Sequence, residues 1–76
     1  MSDSDGFIDL SGLRCPLPVL RVKKALGEIK VGKSLRFFAT DPGAVDDIPA
    51  FILQAGHRIL KITPATGGNF FEIRKQ

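Results

Sequence analysis

Two stretches of the chain carry apolar residues at intervals of three and four, and short β-prone runs flank both stretches. This spacing is the period of an amphipathic helix. The first stretch, residues 16–29, repeats at Val19, Val22, Leu26 and Ile29. The second repeats at Val45, Ile48, Phe51, Ile52 and Ala55. The β-prone runs are residues 7–10, 34–39, 57–63 and 70–74, so the predicted element order is βαβαββ.

This order predicts an α+β fold, a two-layer sandwich in which both helices pack on one face of a four-stranded mixed sheet. The first two strands form a right-handed parallel crossover, and the last two form an antiparallel hairpin with its loop at residues 65–69. The adjacent Phe37 and Phe38 predict that the second strand is largely covered on both faces. We expect residues 1–6 to be a flexible polar tail and residues 7–76 to form a single domain.

Pro49 falls inside the second helical stretch, where it would remove a backbone donor. The sequence therefore predicts that this helix begins late, capped by Asp46 or Asp47, with Pro49 in its first turn. Gly56 is the predicted residue after its C-terminus. Asp41, the third acidic residue of this segment, is typical of a turn. Turn and helix-cap roles therefore account for all three carboxylates, and we expect no cation site here.

Composition restricts the class of protein. The 76 residues are 43% hydrophobic and 25% charged, which is ordinary for a globular domain. Apolar runs fall short of the roughly 18 to 20 residues that span a bilayer, and the acidic N-terminus resembles no signal peptide. A single cysteine forms no internal disulfide and indicates a reducing compartment. We expect a cytoplasmic protein without membrane contact.

The single cysteine lies in the segment Arg14-Cys15-Pro16-Leu17-Pro18. A residue before proline is driven out of the helical region, whereas proline is favoured at the first helical position. These preferences predict Cys15 at the helix N-cap, where the positive end of the helix favours thiolate. Pro16 and Pro18 would fix the geometry, and Arg14 with the Leu17 N–H would support the anionic sulfur.

A lone cysteine in a small domain is often only a buried apolar residue, but the flanking prolines and the loop-to-helix position favour a functional thiol. Without a second cysteine, no internal thiol can release a sulfur adduct from Cys15 as a disulfide. A persulfide on Cys15 would therefore persist until the thiol of another protein arrived, as a sulfur carrier requires. A thiol redox sensor is an alternative, and would form a sulfenate or an intermolecular disulfide instead.

A second alternative is a non-enzymatic RNA-binding or regulatory module, which the net charge of +3 permits. No aromatic stacking surface or dense basic patch is visible in the sequence, so we expect no direct nucleic-acid contact. Lys23 and Lys24 are candidates for docking an acidic partner. His57 is expected to be structural. With one cysteine and one histidine, we expect no metal site.

Two blocks of the sequence resemble a known family. Residues 10–18 resemble the Cys-Pro-x-Pro signature of the TusA-type (SirA-like) sulfur carrier proteins, and residues 41–49 resemble their Asp-Pro…Asp-Ile-Pro segment. The likeness covers residues 7–75 and implies a βαβαββ sandwich similar to the C-terminal domain of translation initiation factor three. It also implies that Cys15 accepts sulfane sulfur as a persulfide and relays it. Leu17 departs from the acidic residue that carriers in tRNA thiolation have between the prolines.

The resemblance further implies two protein partners, a sulfur donor (a cysteine desulfurase or a rhodanese-like protein) and a sulfur acceptor. It implies no cofactor. The chain would act as a carrier rather than as a multi-turnover enzyme on its own. Family members serve tRNA thiolation, molybdenum cofactor assembly or sulfur oxidation, and the residues leave the choice among these pathways open.

Overall fold

The computed structural model describes residues 6–76. Its elements are β1 (Gly6–Leu10), α1 (Leu17–Glu28), β2 (Ser34–Ala39), α2 (Ala44–Gln54), β3 (Arg58–Ala65) and β4 (Gly68–Arg74). The predicted order βαβαββ is confirmed. Most of the predicted tail, residues 1–5, lies outside the described residues, and Gly6 already belongs to β1. The loop between β3 and β4 is shorter than predicted, because the two strands reach Ala65 and Gly68.

The four strands form one mixed sheet in the order β1-β2-β4-β3. β1 pairs with β2 in parallel, while β4 pairs antiparallel with both β2 and β3. The predicted mixed sheet is therefore confirmed. Because β1 and β2 run in parallel, the loops that follow them leave the sheet at the same edge. This edge brings together residues that are about thirty positions apart in the sequence.

The core lies between the helices and one face of the sheet. Phe37 of β2 and Phe71 of β4 stack at its centre, with their ring centroids 5.0 Å apart and their planes inclined by 15°. The buried apolar side chains are Leu10, Val22, Leu26, Leu35, Phe37, Ala39, Ala44, Ile48, Ile52, Phe71 and Ile73. The helical stripes and the inward strand positions thus meet in one layer, as the two-layer prediction requires.

Within residues 6–76, no helix lies over the other face of the sheet. Phe38 is only partly buried on that face, where its ring lies 4.7 Å from that of Phe70. Phe70 itself is 44% exposed. The prediction that β2 is covered on both faces is therefore wrong, because the adjacent phenylalanines point to opposite faces and only Phe37 meets the helices.

The predicted start of the second helix is also wrong. α2 begins at Ala44, so Asp46 and Asp47 lie in its first turn and Pro49 lies inside the helix. The apolar stripe explains this start, since Ala44 and Ile48 are one turn apart and both are buried. Burial on that face offsets the hydrogen bond that Pro49 removes.

The predicted end of α2 is confirmed. Gly56 adopts a φ of 87°, a left-handed conformation that glycine reaches without a clash of Cβ. Its N–H donates to the carbonyl of Leu53 at 3.1 Å, and the His57 N–H donates to the carbonyl of Ile52 at 2.9 Å. This pair of bonds is a Schellman motif, which satisfies the last carbonyls of the helix and turns the chain into β3.

A lysine near the C-terminus donates hydrogen bonds to carbonyls at the end of α1. The Lys75 ammonium donates to the carbonyls of Leu26 and Ile29, each at 2.7 Å. We expect Lys75→Met to lower the free energy of unfolding by about 1–3 kcal/mol, because it leaves two helix-end carbonyls without a charged donor. Urea unfolding measures this change. Lys30→Met, which removes an exposed lysine beside the same helix end, should change the free energy of unfolding by less than about 0.5 kcal/mol.

Candidate functional site

The candidate site lies where the loops after β1 and β2 meet. Asp9, near the end of β1, accepts hydrogen bonds from the backbone N–H and the hydroxyl of Ser11, which lower the pKa of its carboxyl. The Gly12 N–H donates to the Thr40 hydroxyl across the two loops at 2.9 Å. These bonds fold the first loop back against the second one, so that the segment around Cys15 faces the start of α2.

Cys15 is solvent-exposed, but it does not lie at the helix N-cap. α1 begins at Leu17, and Pro16 is its N-cap residue. The first helical bond therefore runs from the Leu20 N–H to the Pro16 carbonyl, at 3.2 Å. Pro18 occupies the second helical position, and its ring is buried. A backbone N–H at this position has no partner within the helix, so proline removes no helical hydrogen bond there. The sequence prediction placed the helix start one residue too early, because both prolines tolerate a place in the first turn. The Cys15–Pro16 peptide bond is cis.

One of the two predicted donors to an anionic sulfur, the Leu17 N–H, bonds elsewhere, and the role of Arg14 stays a prediction. The Leu17 N–H donates to the Arg14 carbonyl at 2.8 Å, so it closes a turn around Cys15 instead of serving the sulfur. The Arg14 side chain is exposed. Pro16 and Pro18 lie at the N-cap and in the first turn of α1, and their positioning role stays a prediction.

Asp47 is the residue that contacts the sulfur. The Cys15 thiol donates a hydrogen bond to Asp47 Oδ2, with Sγ and Oδ2 3.3 Å apart. This hydrogen bond raises the pKa of the Cys15 thiol, and burial and the negative charges of Asp47 and Asp41 raise it further. The sequence predicted the opposite, a pKa of Cys15 lowered by the positive end of the helix. At rest, the carboxylate stabilises the neutral thiol.

The sequence analysis assigned Asp47 to a helix cap and thereby missed its contact with the cysteine. Its place in the second matching block was the available signal, since that block begins the loop that faces the Cys15 segment. Asp41 does have the predicted turn role, because its carboxylate accepts the Gly43 N–H at 3.1 Å. Among residues 6–76, no three His, Cys, Asp or Glu side chains form a group that could hold a metal ion.

A groove opens between the two loops. It has a volume of about 480 Å³ and is lined by Gly12, Leu13, Arg14, Thr40, Asp41 and Pro42. The groove is open to solvent, and its lining includes Arg14, the residue before Cys15.

The two candidate docking lysines lie on different flanks of α1. Lys23 lines a depression beside Phe51 and His57, whereas Lys24 lines another one beside Ile8. Neighbouring helical residues are about 100° apart, so these two lysines do not form one patch. His57 has a structural contact, since its Nδ1 accepts the backbone N–H of Gln76 at 3.1 Å.

The fold and the site together define a class: small βαβαββ sandwiches that present one exposed cysteine, in front of a helix, at the edge where two parallel strands end. The family profile described as Sulfurtransferase TusA matches residues 6–75. This chain belongs to that family.

Individual proteins support the assignment. The chain is 44% identical over 75 residues to the sulfur carrier protein TusA of Allochromatium vinosum, which covers 99% of both chains. It is 43% identical over 60 residues to a putative sulfur carrier protein of Bacillus subtilis, or 79% of this chain and 80% of the relative.

A solved structure supports the fold. The SirA-like protein of Desulfitobacterium hafniense superimposes with a TM-score of 0.79, at 24% identity over 91% of this chain and 95% of that one. Neither helix within residues 6–76 is long and apolar enough to cross a membrane.

Proposed function

We propose that Cys15 accepts sulfane sulfur from a donor protein as a persulfide and passes it to a cysteine of an acceptor protein. The observation that carries this proposal is the exposed thiol held 3.3 Å from the Asp47 carboxylate, beside an open groove. A thiol in this position is accessible to a second protein and has a proton acceptor in contact with it.

The transfer is a balanced displacement with no net oxidation. Cys15 Sγ attacks the outer sulfur of a donor persulfide, and a new S–S bond forms while the donor's S–S bond breaks. The donor cysteine leaves as a thiolate and takes up a proton from solvent. The proton of Cys15 passes to Asp47 Oδ2, which already accepts its hydrogen bond. Delivery to the acceptor is the same displacement, with Cys15 as the leaving group.

Asp47 also acts at delivery. When the acceptor thiolate attacks the outer sulfur, Cys15 Sγ leaves next to Asp47, and the proton held on Asp47 Oδ2 returns to Sγ and neutralises the leaving thiolate. The same side chain thus takes the proton of Cys15 during loading and gives it back when the sulfur departs.

The chain has no second cysteine that could resolve the adduct. A carrier needs this feature, because a resolving thiol would release the sulfur before a partner arrived. The redox-sensor alternative is less well supported. Sensor cysteines have low pKa values, whereas Asp47 raises the pKa of the Cys15 thiol.

The partners in this proposal are a cysteine desulfurase or a rhodanese-like protein as donor, and a cysteine-bearing protein as acceptor. The groove beside Arg14 would receive the partner's cysteine loop. We place the relay in the cytoplasm, where thiols stay reduced. It would supply tRNA thiolation, molybdenum cofactor assembly or sulfur oxidation.

Intact-protein mass spectrometry tests the proposal. After incubation with a cysteine desulfurase and cysteine, or with a rhodanese and thiosulfate, the wild type should gain the mass of one sulfur atom. Dithiothreitol should remove it. Cys15→Ser should stay unmodified and keep the circular dichroism of the wild type, since residue 15 is exposed. If the wild type gains no sulfur from either class of donor, the proposed function is wrong.

A further inference from the structure

The sheet face opposite the helices carries three phenylalanines in contact. Because side chains alternate along a strand, Phe38 and Phe70 lie on the face that Phe37 and Phe71 do not use. Phe70 lies 4.7 Å from Phe38 and 6.4 Å from Phe7, measured between ring centroids. Phe7 is 55% exposed and Phe70 is 44% exposed, so their rings are open to a flat ligand.

Basic side chains continue this face along the strands. Phe70 and Arg74 are four residues apart on β4, or roughly 13 Å at the rise of a strand, and lie on the same face. Arg58 is the cross-strand partner of Arg74. Arg36 and Lys61 flank Glu72 in the cross-strand row between the row of Phe70 and the row of Arg74. Among residues 6–76, the cations of the face are Arg36, Arg58, Lys61 and Arg74. The carboxylates that the same residues place there are Asp9, which is bonded to Ser11, and Glu72.

Two features of this face favour an anionic, aromatic partner. Arg58 and Arg74 are paired directly across the strands, where like charges repel each other, and an anion between them would relieve that repulsion. A depression of about 300 Å³ on the same face is lined by aromatic and basic side chains together. Its side-chain lining includes Phe7, Arg36, Lys61, Thr63, Phe70 and Glu72.

We propose that this open sheet face binds single-stranded RNA. Unpaired bases stack on Phe70 and Phe7, as they do on aromatic side chains of other open sheets, and the backbone phosphates lie along Arg36, Lys61, Arg58 and Arg74. The exposed Thr63 hydroxyl lies in the row of Phe70, where a ribose 2′-hydroxyl can bond to it. An apolar protein partner would use the rings but leave the paired Arg58 and Arg74 without a matching charge.

The sequence analysis expected no direct nucleic-acid contact. Phe7, Phe38 and Phe70 are far apart in the chain, and only the pairing of β1, β2 and β4 brings them together. The proposal is independent of the sulfur chemistry, because Cys15 follows β1 in the loop that leads to α1. Cys15→Ser should bind RNA as well as the wild type does, so either proposal can fail alone.

Fluorescence anisotropy with a short labelled single-stranded RNA of mixed sequence, at low salt, tests the surface. Phe70→Leu should weaken binding at least about fivefold, because leucine keeps an apolar side chain but loses the stacking plane. Phe70→Tyr keeps the ring and should bind as the wild type does. The double variant Arg58→Gln/Arg74→Gln should reduce the slope of log affinity against log salt by about 1.4, since each phosphate contact of a single strand contributes about 0.7.

Matched controls separate this face from the helices. Lys23→Gln/Lys24→Gln removes the same charge from α1 and should weaken binding less than Arg58→Gln/Arg74→Gln. RNA of the same sequence in a duplex, or single-stranded DNA, should bind more weakly. Equal affinity for that DNA would overturn the assignment to RNA. The proposal fails if the wild type shows no binding at low salt, or if Phe70→Leu has no effect. It also fails if the face joins two copies of the chain instead. In that case, analytical ultracentrifugation would show a dimer of the wild type and a monomer of Phe70→Ala.

Discussion

Asp47→Asn should make Cys15 react with iodoacetamide severalfold faster than the wild type near neutral pH. The hydrogen bond from the thiol to Asp47 Oδ2 and the negative charge of Asp47 both raise the pKa of Cys15. An amide removes the charge, so the pKa falls and more of the thiol is ionised at a given pH below it. Since thiolate is the nucleophile, the alkylation rate rises with its population.

The pH profile gives this prediction a second signature. Well above both pKa values, all of the thiol is ionised in either protein, and a thiolate of higher pKa is the stronger nucleophile. The advantage of Asp47→Asn should therefore vanish or reverse at high pH. Asp46→Asn is the matched control, because it removes the same charge from the same helical turn. If both variants share one profile, the contact with Asp47 does not set the reactivity of Cys15.

Phe37→Ala should lower the free energy of unfolding by about 3–5 kcal/mol. Phe37 is fully buried, stacks on Phe71, and lies on the central strand β2 beneath both helices. Its loss leaves a cavity that α1 and α2 cannot both close. Since small domains have only about 5–15 kcal/mol in total, a large part of the stability depends on this side chain.

Urea unfolding followed by far-ultraviolet circular dichroism measures the effect. Phe7→Ala removes the same side chain from the open face, where 55% of it is exposed, and should lower the free energy of unfolding by less than about 1 kcal/mol. A similar loss in both variants would contradict the assignment of the core to the helix-covered face. The comparison also establishes whether variants of the open face stay folded for the RNA measurements.

The sequence predicted the architecture because apolar periodicity is a local signal. Val22 and Leu26 on α1, and Ile48 and Ile52 on α2, are buried where their spacing predicted them. Gly56 ends α2 as predicted, since a left-handed residue at a helix end favours glycine. Proline was the weaker guide. The preference of proline for a first turn predicted a start of α2 that is too late, because burial of Ala44 extends the helix toward its N-terminus. The same preference predicted a start of α1 that is too early, because a turn closed by the Leu17 N–H precedes the helix.

The site was harder to predict because its decisive contact is not local. Cys15 and Asp47 are 32 positions apart and meet only because parallel strands end at one edge of the sheet. The prolines beside Cys15 marked it as the candidate thiol. The sequence predicted a lowered pKa for this thiol, because a helix end and Arg14 are local signals, whereas the carboxylate of Asp47 that raises the pKa comes from the next loop. The aromatic cluster of the open face was missed for the same reason.

Peptide mass spectrometry after sulfur loading tests the central claim most directly. Trypsin cuts after Arg14 and Arg21 and releases residues 15–21, the fragment that carries the only cysteine. After loading by a donor enzyme and alkylation without reductant, this fragment should be heavier by one sulfur atom than the same fragment from unloaded protein. The added sulfur should disappear when an acceptor thiol is supplied before alkylation. A loaded sample in which residues 15–21 carry no extra sulfur would contradict the assignment of Cys15 as the carrier thiol.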